Sequence, residues 1–279
     1  MDRPTLSLPE RLVVLFSGFE AQFGWLFFGF GMIFVWVFGV FAPLKQGIVN
    51  YDGETTGVIS GFVATNSSVN DRTVMRYTFS FEVNGRTYSA ESFTEDNLGE
   101  ALTPVTVQYA TSDPARARIK GTRTTEFPWI VMFVLIFPFI GLIFMVYSFR
   151  RNSKHVDLLN QGVFARGKLL NKERTNVEYN KMPVYKYTFE FTANDGMTYQ
   201  ATGKTHLTHL LEDEETERVI YAPNDPAYAT VYDSIPGAPT LGPDGLYNPL
   251  PVSRYFSLIL PAFMTLLHGT IAYFYFFKF

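Results

Sequence analysis

The sequence predicts an α+β membrane protein in which three transmembrane helices carry two small antiparallel β-sheet or barrel-like modules. Three observations lead there. Uncharged runs of 24, 23 and 23 residues lie between Glu20 and Lys45, between Glu126 and Arg150, and between Arg254 and Lys278. Each is long enough to cross a hydrocarbon core, which takes about 20 helical residues. The two stretches between them, 45–126 and 150–254, contain the same three sequence blocks in the same order. Inside those blocks apolar and polar residues alternate with the period of a half-buried strand.

The composition agrees. Of the 28 phenylalanines, 18 sit in the three uncharged runs, so a mean hydropathy of +0.05 averages very oily and rather polar stretches. A net charge of −3 argues against a general nucleic-acid binder. The absence of cysteine excludes a disulfide framework, a thiolate nucleophile and a Cys-ligated zinc or iron–sulfur site.

Residues 1–20 form an N-terminal interfacial segment and 21–44 the first transmembrane helix. A cleavable signal peptide does not fit, because the apolar stretch is too long and ends at Ala42-Pro43. Residues 11–20 are expected to be an amphipathic helix lying in the interface. Gly24, Gly31 and Gly39, spaced by seven and eight, fall near one helix face where another helix could approach closely. Alternatively, glycine is simply common in membrane helices.

The first β module spans 45–126 and is followed by the second transmembrane helix at 127–149. That helix has Trp129 and Tyr147 at its interfaces and Pro138 and Gly141 near its middle, where a kink is expected. The second module spans 150–233, a Pro/Gly-rich linker 234–254, and the third transmembrane helix 255–277. In the last, Pro261, Thr265, His268 and Ala272 recur at spacings of four, three and four and share one face. A small or polar stripe of this kind should look toward protein, as a helix-packing surface or a pocket lining. His268 is either a relay or ligand contact or a neutral imidazole bonded to a neighbouring helix. No Asp, Glu, Lys or Arg lies in any of the three runs to form a relay with it.

Gly57-Val-Ile and Gly162-Val-Phe open the two modules. Tyr77-Thr-Phe-Ser-Phe-Glu-Val-Asn-Gly-Arg-Thr-Tyr88 then matches Tyr187-Thr-Phe-Glu-Phe-Thr-Ala-Asn-Asp-Gly-Met-Thr-Tyr199, and Tyr109-Ala-Thr-Ser-Asp-Pro114 matches Tyr221-Ala-Pro-Asn-Asp-Pro226. The middle block reads as a hairpin, with Asn84-Gly85 in a tight two-residue turn and Asn194-Asp195-Gly196 in a bulged one. Asp113 and Asp225, each before a proline, are expected to start turns rather than to act in catalysis. This arrangement resembles a bacterial family of membrane proteins of unknown function, in which a small β domain sits between transmembrane helices, here as two tandem copies. The resemblance implies a fold and a location in the bacterial inner membrane; it brings no catalytic residues.

Three single crossings would put the modules on opposite sides of the membrane. The flanking cations do not fix the orientation: Arg3, Arg11, Arg150, Arg151, Lys154 and Arg254 balance Lys45, Arg116, Arg118, Lys120, Arg123 and Lys278. The abutment of Arg150-Arg151 on the second run favours the N-terminus inside. A second run that dips in and returns at Pro138 is the alternative.

The search for chemistry returns little. His206, His209 and Glu212 have metal-ligand spacing on a helix, but they also suit a solvated amphipathic helix with Leu207, Leu210 and Leu211 packed down. Arg116, Arg118, Lys120 and Arg123 form a basic patch that could touch lipid headgroups. No phosphate-cradling loop or serine elbow is present. The expectation is therefore a non-enzymatic protein without cofactor or metal, an accessory or scaffold subunit whose partners are membrane lipids and other membrane-protein subunits. The other reading is a ligand-sensing or transport-linked protein with a pocket near His268.

Overall fold

A computed structural model of the 279-residue chain describes residues 5–39, 49–206, 208, 211 and 215–277. The chain is α+β: three helical segments are long and apolar enough to cross a membrane, and two five-stranded sheets lie between them in sequence. It divides into two compact units, residues 30–138 and residues 1–29 with 139–279.

The unit of residues 30–138 holds the sheet of strands β1 (Gly53–Val69), β2 (Arg72–Val83), β3 (Arg86–Thr94), β4 (Pro104–Ala110) and β5 (Asp113–Ile119), in the order β3-β2-β1-β4-β5. Its two ends are drawn together. Phe93 and Arg123 exchange backbone hydrogen bonds of 2.8 and 3.1 Å, and Ser92 Oγ accepts the Ile119 N–H. As the alternation requires, Tyr77, Phe79 and Phe81 point into the core with Ile59, Val107, Ala117 and Ile119. The buried Tyr77 hydroxyl accepts the Leu98 N–H, so its polar tip is satisfied. Asn84 and Gly85 both take the positive φ of a tight hairpin turn.

The other unit contains β6 (Val163–Tyr179), β7 (Met182–Thr192), β8 (Thr198–Thr205), β9 (Thr216–Ala222) and β10 (Asp225–Val231), which close into a barrel in the order β10-β8-β7-β6-β9. Closure is made by one parallel bridge, Thr230 to Thr202. Tyr187, Phe189, Phe191, Val219 and Tyr221 fill it. The Asn194-Asp195-Gly196 turn has its left-handed residue at Gly196, closed by an Ala193 N–H to Met197 carbonyl bond of 3.0 Å.

Several expectations need correction here. Gly57 faces Phe81 in β2 and Gly167 faces Phe191 in β7, so the register makes Gly167, not Gly162, the counterpart of Gly57. Both glycines are held by close neighbours: a Cβ on either would press on the valine side chain of the adjoining strand, Val107 or Val219. Asp113 and Asp225 do not start turns; each is the first residue of a strand, paired with Ala110 and Ala222.

Of the helices, α1 (Leu8–Phe16) is capped by Glu10, whose carboxylate accepts from the Ser7 N–H at 2.8 Å and the Ser7 hydroxyl at 2.7 Å. It buries Val13 and Val14, so it is a docked helix and not only an interfacial one. Helix α2 (Phe19–Val37) follows. A 3-10 segment, Trp129–Leu135, leads into α3 (Ile136–Gln161), and a second one, Val252–Leu258, into α4 (Ile259–Phe277).

Pro138 and Pro261 each occupy the third position of their α-helix, in the first turn, where a missing N–H costs little. The mid-helix kink expected at Pro138 is therefore a change from 3-10 to α geometry. Pro128 and Pro251 stand just before the 3-10 segments, so the same proline pair, ten residues apart, introduces both helices.

Two expected boundaries fall elsewhere. Helix α3 continues to Gln161, so the second sheet begins at Val163 and residues 150–161 are helical. These residues supply buried Asn152, Leu158 and Leu159, a docking surface that outweighs their polar look in the sequence. Residues 234–254, read as a linker, are folded onto that surface: Ile235, Leu241 and Tyr247 pack with Leu158, Leu159 and α1's Val14. The Tyr247 hydroxyl donates to the Leu159 carbonyl at 2.6 Å, and the Tyr232 hydroxyl donates to the Pro239 carbonyl at 2.6 Å.

Candidate functional site

The helix-packing residues divide into two groups. Gly24 lies against α3, where a Cβ would come within 2.8 Å of the Met145 backbone nitrogen; from the other side, a Cβ on Gly141 would strike the Phe28 backbone. Gly31 lies against Pro138, with a Cβ 2.7 Å from the ring nitrogen. Both positions keep Cβ atoms out of a close helix crossing. Gly39 has φ +56° and, among the described residues, nothing within 4 Å of a would-be Cβ, so it ends α2 as a left-handed cap.

On α4, Pro261 and His268 are buried together with Met264, whose side chain fills the space over Gly29. His268 hydrogen-bonds to the Gly29 backbone, and its ring meets Phe28 edge-on at 6.5 Å. Thr265 is exposed, and its hydroxyl donates to the Pro261 carbonyl at 2.8 Å within its own helix; Ala272 is half-buried. The polar stripe is thus a helix-packing seam built on His268 and Met264.

The basic patch of the first sheet is largely engaged within the sheet. Arg118 donates twice to Gln108 at 3.2 and 3.1 Å and lies over the Tyr51 ring; Lys120 pairs with Glu54 at 3.0 Å. Arg123 makes a two-pronged ion pair with Glu95 and donates to the Glu126 carbonyl at 2.9 Å. The guanidinium holds the Glu95 carboxyl below its usual range. Arg116 is exposed. Of the metal-type cluster, His206 packs on Tyr179 with ring centroids 4.6 Å apart, while His209 and Glu212 lie outside the described residues. Among the described residues no three His, Asp or Glu side chains gather as a metal would require.

A further site was not legible as a motif. A cavity of about 720 Å³ runs along one face of α3 and is walled by the barrel. Along α3 its lining changes from Leu142, Ile143 and Val146, through Tyr147, to Arg150, Arg151, Lys154 and His155. The steps of three and four residues keep this face continuous. Opposite stand Thr202 and Thr230, the pair that closes the barrel, and Tyr228.

Within this site Arg151 is held by Glu20, which accepts at 2.9 and 3.1 Å. Lys154 lies over the Tyr228 ring at 5.4 Å. Burial, aided by the Asp157 charge, pushes the Tyr228 hydroxyl up to about 12, so it stays a donor at neutral pH. His155 Nδ1 is buried and has no hydrogen-bond partner among the described residues. The sequence signal for the site was the face 143-147-150-154, which becomes visible once α3 is known to continue past residue 149.

The profile of a domain of unknown function, DUF3592, matches residues 55–124, the first sheet. No curated protein matches the chain.

Proposed function

We propose that this is a non-enzymatic integral protein of a bacterial inner membrane, an accessory or scaffold subunit that binds other membrane-protein subunits through its β modules. The observation that carries this reading is the free outer edge of two long hairpins. β1 is paired with β4 only over Gly53–Val58, and β6 with β9 only from Val163 to Lys168, although both strands run to 17 residues.

Beyond Ile59, which still bonds to Leu102 and Thr103, and beyond Lys168, the outer edges of β1 and β6 have no strand partner among the described residues, while β2 and β7 remain paired with β3 and β8 on the far side. Val63 on one, and Leu170, Val177 and Tyr179 on the other, are exposed. Such an edge offers unpaired N–H and C=O groups to an incoming strand, and exposed apolar side chains give that strand something to bury.

The two units read as tandem copies. The pairs Gly57–Phe81 and Gly167–Phe191, and the bulges at Ile59/Gly61 and Leu169/Asn171, recur 110 residues apart, and each sheet is followed by the same proline-bracketed 3-10 start of a long helix. The test is purification in mild detergent. The wild type should run as part of a larger assembly from which Leu170→Lys/Val177→Lys, with an unchanged thermal transition, is released. A wild-type particle that is strictly monomeric at native expression level overturns the proposal.

A further inference from the structure

We propose that the cavity between α3 and the barrel binds the phosphate headgroup of an anionic phospholipid. The geometry along α3 places it at the right depth. Trp129 and Tyr147 are 18 residues apart in sequence, about 30 Å with the 3-10 rise to Ile136 and the α rise after it, which matches a hydrocarbon core of about 30 Å with an aromatic residue at each face. Arg150, Arg151 and Lys154 lie one to two turns further on, at headgroup level. The apolar lining Leu142, Ile143 and Val146 lies before Tyr147, where acyl chains run. A ligand that fits must be anionic at one end and greasy at the other.

The charges at the headgroup end leave room for an anion. Glu20 satisfies Arg151 alone. Arg150 and Lys154 are exposed and make no ion pair among the described residues. The Asp157 carboxylate is near enough to act on Tyr228. The facing wall adds hydroxyl groups at Tyr228, Thr202 and Thr230, suited to phosphate and glycerol oxygens. A volume of about 720 Å³ accommodates a headgroup and the start of its chains, within the usual range for ligand sites.

The experiment is native mass spectrometry of the full chain released from micelles containing phosphatidylglycerol and phosphatidylcholine in equal amounts. Each cation near an anionic headgroup favours binding by about fivefold, so retention of phosphatidylglycerol should exceed that of phosphatidylcholine by about 25-fold. Arg150→Gln/Lys154→Gln should bring the ratio to within about twofold. The control Arg86→Gln/Lys168→Gln, which removes the same charge from exposed strand positions, should leave it intact. Both pairs are exposed, and an unchanged thermal transition verifies folding; should the double variant fail to fold, Lys154→Gln alone must lower the ratio.

Equal retention of the two lipids, or a preference that survives the double variant, overturns the proposal. Displacement of phosphatidylglycerol by excess inorganic phosphate would also overturn it, by showing a site for the free anion rather than the lipid. None of these outcomes depends on whether the hairpins bind a partner.

Discussion

Gln22 donates its side-chain amide to the Ser257 carbonyl at 2.8 Å, and Ser257 stands four residues before Pro261. That carbonyl is the one the helix would satisfy through residue 261, whose ring nitrogen carries no proton. The same Nε2 also reaches the Phe16 carbonyl at 2.7 Å, at the end of α1. One side chain on α2 therefore satisfies two carbonyls that their own helices leave open. Gln22→Leu should destabilise the protein by about 1 kcal/mol, the low end of the penalty for stranding backbone acceptors, because both carbonyls are part-buried. Denaturant titration in detergent measures it, and a change under 0.5 kcal/mol would show that lipid or water serves these carbonyls equally well.

The glycines give a graded prediction. Gly141→Val places a side chain into the Phe28 backbone and should lower the thermal midpoint sharply, because neither helix backbone can yield without opening the crossing. Gly269→Val, with nothing within 4 Å of its Cβ, should behave like wild type. Gly39→Ala should fall between them, since only the left-handed φ is strained, at a cost of about 1 kcal/mol. Equal midpoints for Gly141→Val and Gly269→Val would remove the crossing as a source of stability.

How much was legible follows from the range of the forces involved. The spans and the strands holding Tyr77, Phe79 and Phe81 were readable because burial by lipid or by a sheet face imposes a period on neighbouring residues. The role of Gly39 was misread because helix spacing alone cannot distinguish a packing glycine from a cap. The extension of α3 was hidden because Arg150 to Gln161 is polar on average, and its buried side is held by residues far away in sequence: Leu6 and Val14, Ile220 and Tyr232, and Ile235, Leu241 and Tyr247. The cationic cavity was invisible for the same reason: its facing wall, Thr202, Tyr228, Ala229 and Thr230, comes from the barrel.

The folding-back of residues 234–254 depends on few anchors, and Tyr247 is the most specific. Its hydroxyl bond to the Leu159 carbonyl is lost in Tyr247→Phe while the ring still packs. A loss of about 1 kcal/mol is expected, with faster proteolysis confined to residues 240–250. If cleavage there is already as rapid in the wild type as in the variant, the segment is a linker after all.

Acid should loosen the first sheet through Glu95. Its carboxyl titrates below the ordinary 4.5 because of the Arg123 hydrogen bonds, so the ionised form is favoured by folding. A depressed carboxylate contributes stability that is fully present above the unfolded value near 4.5 and disappears as pH falls through the lower folded value. Asp52, held low by Thr111, and Glu54, held low by Gln108 and Lys120, have the same sign but are exposed, so solvent screens them. Unfolding of the full chain in detergent at pH 6, 4.5 and 3 should therefore show a decline below about pH 4.5. Glu95→Gln should be less stable than wild type at pH 6 and lose part of that decline, so the two proteins converge near pH 3. Parallel curves would mean that the Glu95–Arg123 pair contributes equally little in both protonation states.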